Sequence, residues 1–424
     1  MTNTIIHSLP GPDDIHREVL PNGITILTRS NFNSPSVVVS GFFGAGALFD
    51  PDDKLGLAEY TSYALMRGTK KRTFDKIYNE LESVGAGLGF SSGVHSSGFN
   101  GRSLAEDLPL LLNLLSEALM TPVFPKNEME KLRAQLMTGL AIRAQDTSDM
   151  ASMTFDQILF KDHPYSRPED GFPETVGKIT RNDLVRFHRD HYGPRGMVIA
   201  IVGAVKAEEA VRQVKRALGS WQVKGQKEAY ALPELKLLKK TVSKLHRIAG
   251  KSQSDLVIGT NGPRRRDPEF MSASLGNNIL GQFGLMGRIG DVVREKSGLA
   301  YYAYSSLSAG TGPGSWEVNA GVNPQSVTKA RDLIKDELNR FMQEGVTEDE
   351  LADSKANFIG RLPISLESNG GVANALLNIE RHQLGLDYYR RYPELVNEVT
   401  ADDVLNTARK FIDVSKLAIA VAGP

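Results

Sequence analysis

Residues 179–203 read ITRNDLVRFHRDHYGPRGMVIAIVG, and residues 399–423 read VTADDVLNTARKFIDVSKLAIAVAG. Each runs from a Thr-containing start through a helical stretch into an apolar run that stops at glycine, Gly203 or Gly423. The second begins 220 positions after the first (399 − 179). A fainter echo supports the match. The helical patterns at Asp107–Met120 and Ala330–Met342 each lead through a loop into a Glu-containing helix start, Asn127-Glu128 and Thr347-Glu348-Asp349-Glu350. A repeat of this length implies a duplicated supersecondary plan rather than one large core. We therefore expect an α+β fold of two homologous domains, each an antiparallel-rich sheet with helices packed on it. The polar, Pro-containing stretch KGQKEAYALPELKLLKK (224–240) reads as the join. The expected boundaries are 1–222 and 241–424, with 223–240 as linker.

Within the first half, His16–Leu20 and Ile24–Thr28 flank Pro21-Asn22-Gly23, a hairpin signal because Asn-Gly tolerates positive φ. Ser36–Phe43 is a third, largely apolar strand. Apolar residues at 74, 77, 78, 81 and 84 mark a one-sided helix over Thr73–Val84, and longer helices are expected over Leu104–Met120, Asn127–Gln145 and Ser148–Phe160. Gly85–Asn100 mixes Gly and Ser with alternating apolar residues and reads as two strands and a turn. Its low side-chain bulk suits an edge strand that accepts an extended peptide, and equally a hairpin that holds no ligand.

Composition narrows the chemistry. The 424 residues contain 50 Lys+Arg and 50 Asp+Glu, so net charge is zero and nothing marks a nucleic-acid or membrane-surface partner. There is no cysteine, which removes disulfides and thiolate metal sites and leaves eight histidines as the imidazole supply. No apolar run has the length of a membrane span. The first residues lack a basic segment followed by an apolar one, so a cytoplasmic location is expected, or a periplasmic one if a signal has been removed.

The stretch GLAEYTSYALMRGT (56–69) is a short amphipathic helix closed by Gly68. Glu59, Ser62 and Tyr63 share one of its faces. Together with LGQFGLMGRIGDVVREKSGLAYYAYSS (280–306) and the two similar halves, it resembles the pitrilysin/insulysin family of inverzincin zinc peptidases, which includes the mitochondrial processing peptidase. In that family the helix face reads H-x-x-E-H, and a further carboxylate about 76 residues on completes the zinc site. Here the positions hold Glu59, Ser62 and Tyr63, and the count from Tyr63 reaches Gly139 and Leu140, with Ala141 next. A catalytic zinc needs about three protein ligands, which this set does not supply.

The resemblance implies different functions for Arg294 and Tyr301, in VREKSGLAY. They match the Arg and Tyr with which family members bind substrate and stabilise the transition state from the domain opposite the zinc. Without the resemblance, Arg294 would pair with Glu295 or Asp291 and Tyr301 would pack in the core. With it, the expected protein is a non-catalytic subunit of a heterodimeric zinc endopeptidase. It would bind no metal itself, with zinc carried by a homologous partner whose H-x-x-E-H is intact, and peptide as substrate. The alternative is a catalytically silent peptide-binding or structural homodimer. His188-x-x-His191 is the rival metal pair, but it lacks a third ligand and reads as surface or capping. His163 is expected in a turn. Gly281, Gly284, Gly287 and Gly290 precede no G-K-[ST], so they mark no nucleotide loop.

Overall fold

Residues 9–227 and 230–424 are described by the computed structural model. The first hairpin forms where Asn22-Gly23 allows it: β1 (His16–Val19) and β2 (Thr25–Ser30) pair antiparallel, with Gly23 at φ 93°. With β3 (Ser36–Phe43), β4 (Gly87–Ser92), β5 (Ser97–Leu104) and β6 (Val198–Gly203) they make a six-stranded sheet in the order β1-β2-β6-β3-β5-β4. The second sheet has five strands: β7 (Val242–Arg247), β8 (Ser254–Gly262), β9 (Ala300–Ser308), β10 (Gly314–Val322) and β11 (Ala418–Gly423), in the order β7-β11-β8-β10-β9. Without β1 the first order repeats in the second. In both sheets the strand that ends the repeated motif is inserted between a parallel neighbour and an antiparallel one: β6 between β2 and β3, β11 between β7 and β8. All other pairings are antiparallel, so the expected fold class is the observed one.

The duplication extends to local chemistry. Thr180 and Thr400 cap the helices Arg181–His191 and Ala401–Phe411. The Thr180 hydroxyl accepts from Asp183 N at 3.3 Å while the Asp183 carboxylate accepts from Thr180 N at 2.8 Å, and Thr400 and Asp403 repeat this at 3.1 and 2.9 Å. Such a reciprocal box satisfies two helix-end donors at once. Helix ends otherwise follow the sequence with small shifts. The helix expected from Leu104 starts at Leu108, because Leu104 closes β5 and Ala105–Asp107 forms a 3₁₀ turn. Residues 230–240 form neither helix nor strand, and 228–229 of the expected linker lie outside the described residues.

Two compact units emerge, and each is discontinuous in the chain. The first comprises Met1–Leu140, Pro168–Ala231 and Pro363–Arg391; the second comprises Ala141–Arg167, Leu232–Leu362 and Tyr392–Pro424. Strand chemistry accounts for this. All of β6, VIAIVG, is buried, and an apolar run of this kind needs cover on both faces. One face, through Ile199 and Ile201, joins a core with Leu111, Leu112, Leu115 and Tyr60. The helix Asn369–His382, from the second half of the sequence, packs on β3 and β6. In the other unit Ile419 of β11 joins the core of Trp316 and Phe341, while Ala418, Ala420 and Ala422 pack with Met150, Ala151 and Phe155 of the helix Thr147–Leu159. That helix comes from the first half. Leu376 is fully buried on the helix Asn369–His382. Leu376→Ala should cost about 2–5 kcal/mol in urea unfolding, as for other buried Leu truncations, whereas a surface helix would lose almost nothing.

Candidate functional site

The helix Leu57–Ala64 is set by its first turn. Gly56, its N-cap, sits at φ 92°, where an added Cβ would meet the Asp170 carbonyl at 2.7 Å. The Asp50 carboxylate accepts from Gly56 N and Ala58 N, both at 2.9 Å, and satisfies donors that the helix leaves open. Further along, the Tyr60 hydroxyl donates to the Met129 carbonyl at 2.5 Å from a fully buried ring, and Thr61 Oγ1 donates back to Leu57 O at 2.7 Å. A 3₁₀ turn, Leu65–Arg67, follows, and Gly68 at φ 147° ends it. No sequence motif singled out Asp50 or Tyr60, although they hold the element in place.

On the face that carries the resemblance, Ser62 is fully buried and its hydroxyl donates to Glu59 O at 2.9 Å, so it is used up within the helix. Glu59 is half-buried and hydrogen-bonded to Tyr63, which is 38% exposed. Burial, followed by the charges of Glu59 and Asp170, pushes the Tyr63 phenol above its ordinary value. Glu169, beside the β4–β5 turn, is likewise raised by burial and by Asp170. Gly139 is exposed and Leu140 is buried among apolar residues on the helix Lys126–Arg143. These side chains do not fit a zinc ion: one carboxylate, a spent hydroxyl and a neutral phenol offer no imidazole and no third ligand. Among the described residues no group of three His, Asp or Glu is arranged to hold a metal.

Of the rival pair, expected at the surface or in a cap, His191 is buried, and half-buried His188 lies against the last turn of the helix Leu108–Met120. His188 Nε2 lies 2.7 Å from Leu119 O. The His191 ring is 5% exposed and stacks on Phe49 and Phe187, with centroids at 4.2 and 4.6 Å. Burial, then Lys227, brings its pKa down to about 4. His163 sits in a turn as expected, its Nδ1 accepting from Tyr165 N at 3.2 Å.

In the second unit, Arg294 is the fourth residue of a short π-helical turn, Asp291–Glu295, that precedes β9, and Tyr301 is the second residue of that strand. β9 is an edge strand. Tyr301 is 78% exposed, so it does not pack in the core. Arg294 Nε lies 3.6 Å from Glu295 Oε1, with both side chains more than a third exposed, a pair worth little in water. Asp291 pairs with Lys296 at 2.5 Å instead. In the first unit the Gly/Ser-rich strand β4 is also an edge strand.

Comparison with known proteins agrees with this architecture. Residues 25–168 match the model of the insulinase family (peptidase family M16), and residues 178–358 match that of the peptidase M16 inactive domain. An uncharacterised zinc protease of Streptomyces coelicolor is 28% identical over 100% of this chain and 92% of its own length. A crystal structure of a peptidase M16 inactive domain from Pseudomonas fluorescens has a TM-score of 0.88 at 26% identity, covering 97% of this chain and 98% of that one. A protease from Helicobacter pylori shares the fold at a TM-score of 0.90 and 17% identity, over 98% and 100% of the two chains. No helix among the described residues is long and apolar enough to cross a membrane.

The depressed His191 sets a pH dependence. Its contribution to stability is complete above the unfolded value near 6.5 and is lost as pH falls towards about 4, because the unfolded chain takes up the proton first. Thermal melts of the wild type and of His191→Phe between neutral pH and pH 4 should diverge, the wild type losing up to about 3 kcal/mol more. Parallel curves would show that the ring is not buried as a neutral group.

Proposed function

Because the chain belongs to the insulinase family of peptidases, family M16, we propose that it is a non-catalytic subunit of a two-chain zinc endopeptidase. Its partner is a homologous chain whose H-x-x-E-H helix is intact and carries the zinc. This chain contributes Arg294 and Tyr301 to peptide binding and to stabilisation of the transition state. One observation carries the reading: the helix frame is kept in full while its metal-facing residues are replaced, and the Arg/Tyr pair remains. The exposure of Tyr301 and the weak pairing of Arg294 support it, since both side chains are free to meet a ligand.

The chemistry follows from the groups. A guanidinium donates charge-assisted hydrogen bonds to a substrate carbonyl and fixes the peptide register. A phenol held by a rigid strand donates to the oxyanion as it forms, where a preorganised donor lowers the barrier most. Metal chemistry belongs to the partner. The second reading, a silent peptide-binding homodimer, draws on β4, a Gly/Ser-rich edge strand of the kind that suits strand addition without catalysis.

The test is reconstitution with a zinc-bearing homologue. Arg294→Ala and Tyr301→Phe should each lower turnover of a quenched peptide about 100-fold, the usual loss for one transition-state donor, while zinc content and pairing stay as in the wild type. Full activity in both variants would contradict the assignment. Stoichiometric zinc and peptide cleavage by this chain alone would contradict the reading as a whole.

A further inference from the structure

Arg294 stands in a helical segment that is entered and left through left-handed residues. Residues 287–295 wind continuously: the α-helical turn Gly287–Gly290 passes into the π-helical turn Asp291–Glu295, with Gly290 and Asp291 both right-handed. Before the segment, Met286 and Gly287 lie at φ 74° and 63°, and a Cβ on Gly287 would meet the Ile279 carbonyl at 2.5 Å. After it, Gly298 at φ 60° precedes β9. A methionine in the left-handed region costs free energy, so contacts elsewhere must hold the segment where it is. A π-turn also carries an extra residue, and relaxing it to α-helical spacing would swing Arg294 by roughly 100° about the axis.

Two kinds of anchor resist that movement. Ile289 and Val293, four positions apart and both fully buried, belong to the core that contains Phe341. Apolar burial is non-directional, so it sets the depth of the segment more than its rotation. Arg288 supplies direction. Its Nε donates to Glu350 Oε1 at 2.7 Å and its Nη2 to Glu350 Oε2 at 2.5 Å, from a side chain that is 13% exposed. A fork bonded at two points fixes the geometry of both groups. Glu350 is itself held, since its Oε2 also accepts from Thr347 N at 2.8 Å at the start of the helix Glu348–Ser365. Arg288 Nη1 lies 4.0 Å from Glu337 Oε1 on the helix Val327–Glu344, and its guanidinium carbon is 5.6 Å from the centre of the Phe341 ring on that helix. The neighbouring charges pair locally instead, Asp291 with Lys296 and Arg294 with Glu295. Arg288 is thus a charged tie from this segment to two helices outside it.

We propose that Arg288 is a positioning residue: its clamp on Glu350 sets the rotation and register in which the segment presents Arg294 to a bound peptide. Arg288 is largely covered and already bonded, so it acts through Arg294 rather than by touching the peptide. The inference rests on the reading of Arg294 as a substrate-binding group and names the pair that makes that group effective.

The test is a double-mutant cycle on the chain reconstituted with a zinc-bearing homologue, read as kcat/KM for a quenched peptide. Arg288→Lys keeps the charge and loses the fork, and Glu350→Gln keeps the shape of the acceptor and loses its charge. Each should lower kcat/KM about tenfold when Arg294 is present, as a misplaced binding group does, and by no more than about twofold in an Arg294→Ala background. A clamp that serves stability alone would cost the same factor in both backgrounds. Equal losses, or no loss in either variant, overturn the inference and leave the reading of Arg294 standing. An inactive reconstituted pair, or one that Arg294→Ala leaves fully active, overturns that reading and the inference with it.

Discussion

A strand buried on both faces must be covered twice, and that requirement organises the chain. VIAIVG in β6 and AIAVAG in β11 sit inside their sheets, each between a parallel and an antiparallel neighbour. Helices from the same half cover one face. The second cover is a helix from the other half, Asn369–His382 for β6 and Thr147–Leu159 for β11. Small residues at Ala418, Ala420 and Ala422 let Phe155 and Met150 approach the strand. The hydrophobic burial involved, roughly 1.5–3 kcal/mol for each large side chain, ties the stability of either unit to sequence from both halves.

That scaffold leaves the chemistry of the signature helix replaceable. What holds Leu57–Ala64 in place is Asp50 at its first turn, Gly56 in a left-handed conformation, and Tyr60 bonded to Met129. None of these side chains is a metal ligand of the family motif. Glu59 and Tyr63 occupy the remaining face with an internal hydrogen bond and partial exposure, at no visible cost to packing. Fold and catalysis are thus carried by different residues of one element, and a member of the family can lose one without the other.

Much of this was legible in the sequence, for physical reasons. The Asn22-Gly23 hairpin, the apolar run of β6 and the repeat at 179 and 399 reflect local rules, and they gave two mixed, antiparallel-rich sheets. The exchange of helices was not legible, because helical periodicity marks an apolar face without saying which strand it meets. The reading of His188 and His191 as surface or capping missed the burial of His191: its neighbours Arg189 and Asp190 are polar, while its own position falls on the buried side with Leu184 and Phe187.

On the proposed function, this chain is the metal-free half of a pair. Native mass spectrometry of the chain mixed with a homologue carrying H-x-x-E-H tests it most directly. A metal-free half should give a one-to-one complex containing a single zinc that stays with the homologue when the two chains are separated in the gas phase. A stable homodimer indifferent to the homologue, or zinc retained on this chain, would contradict it.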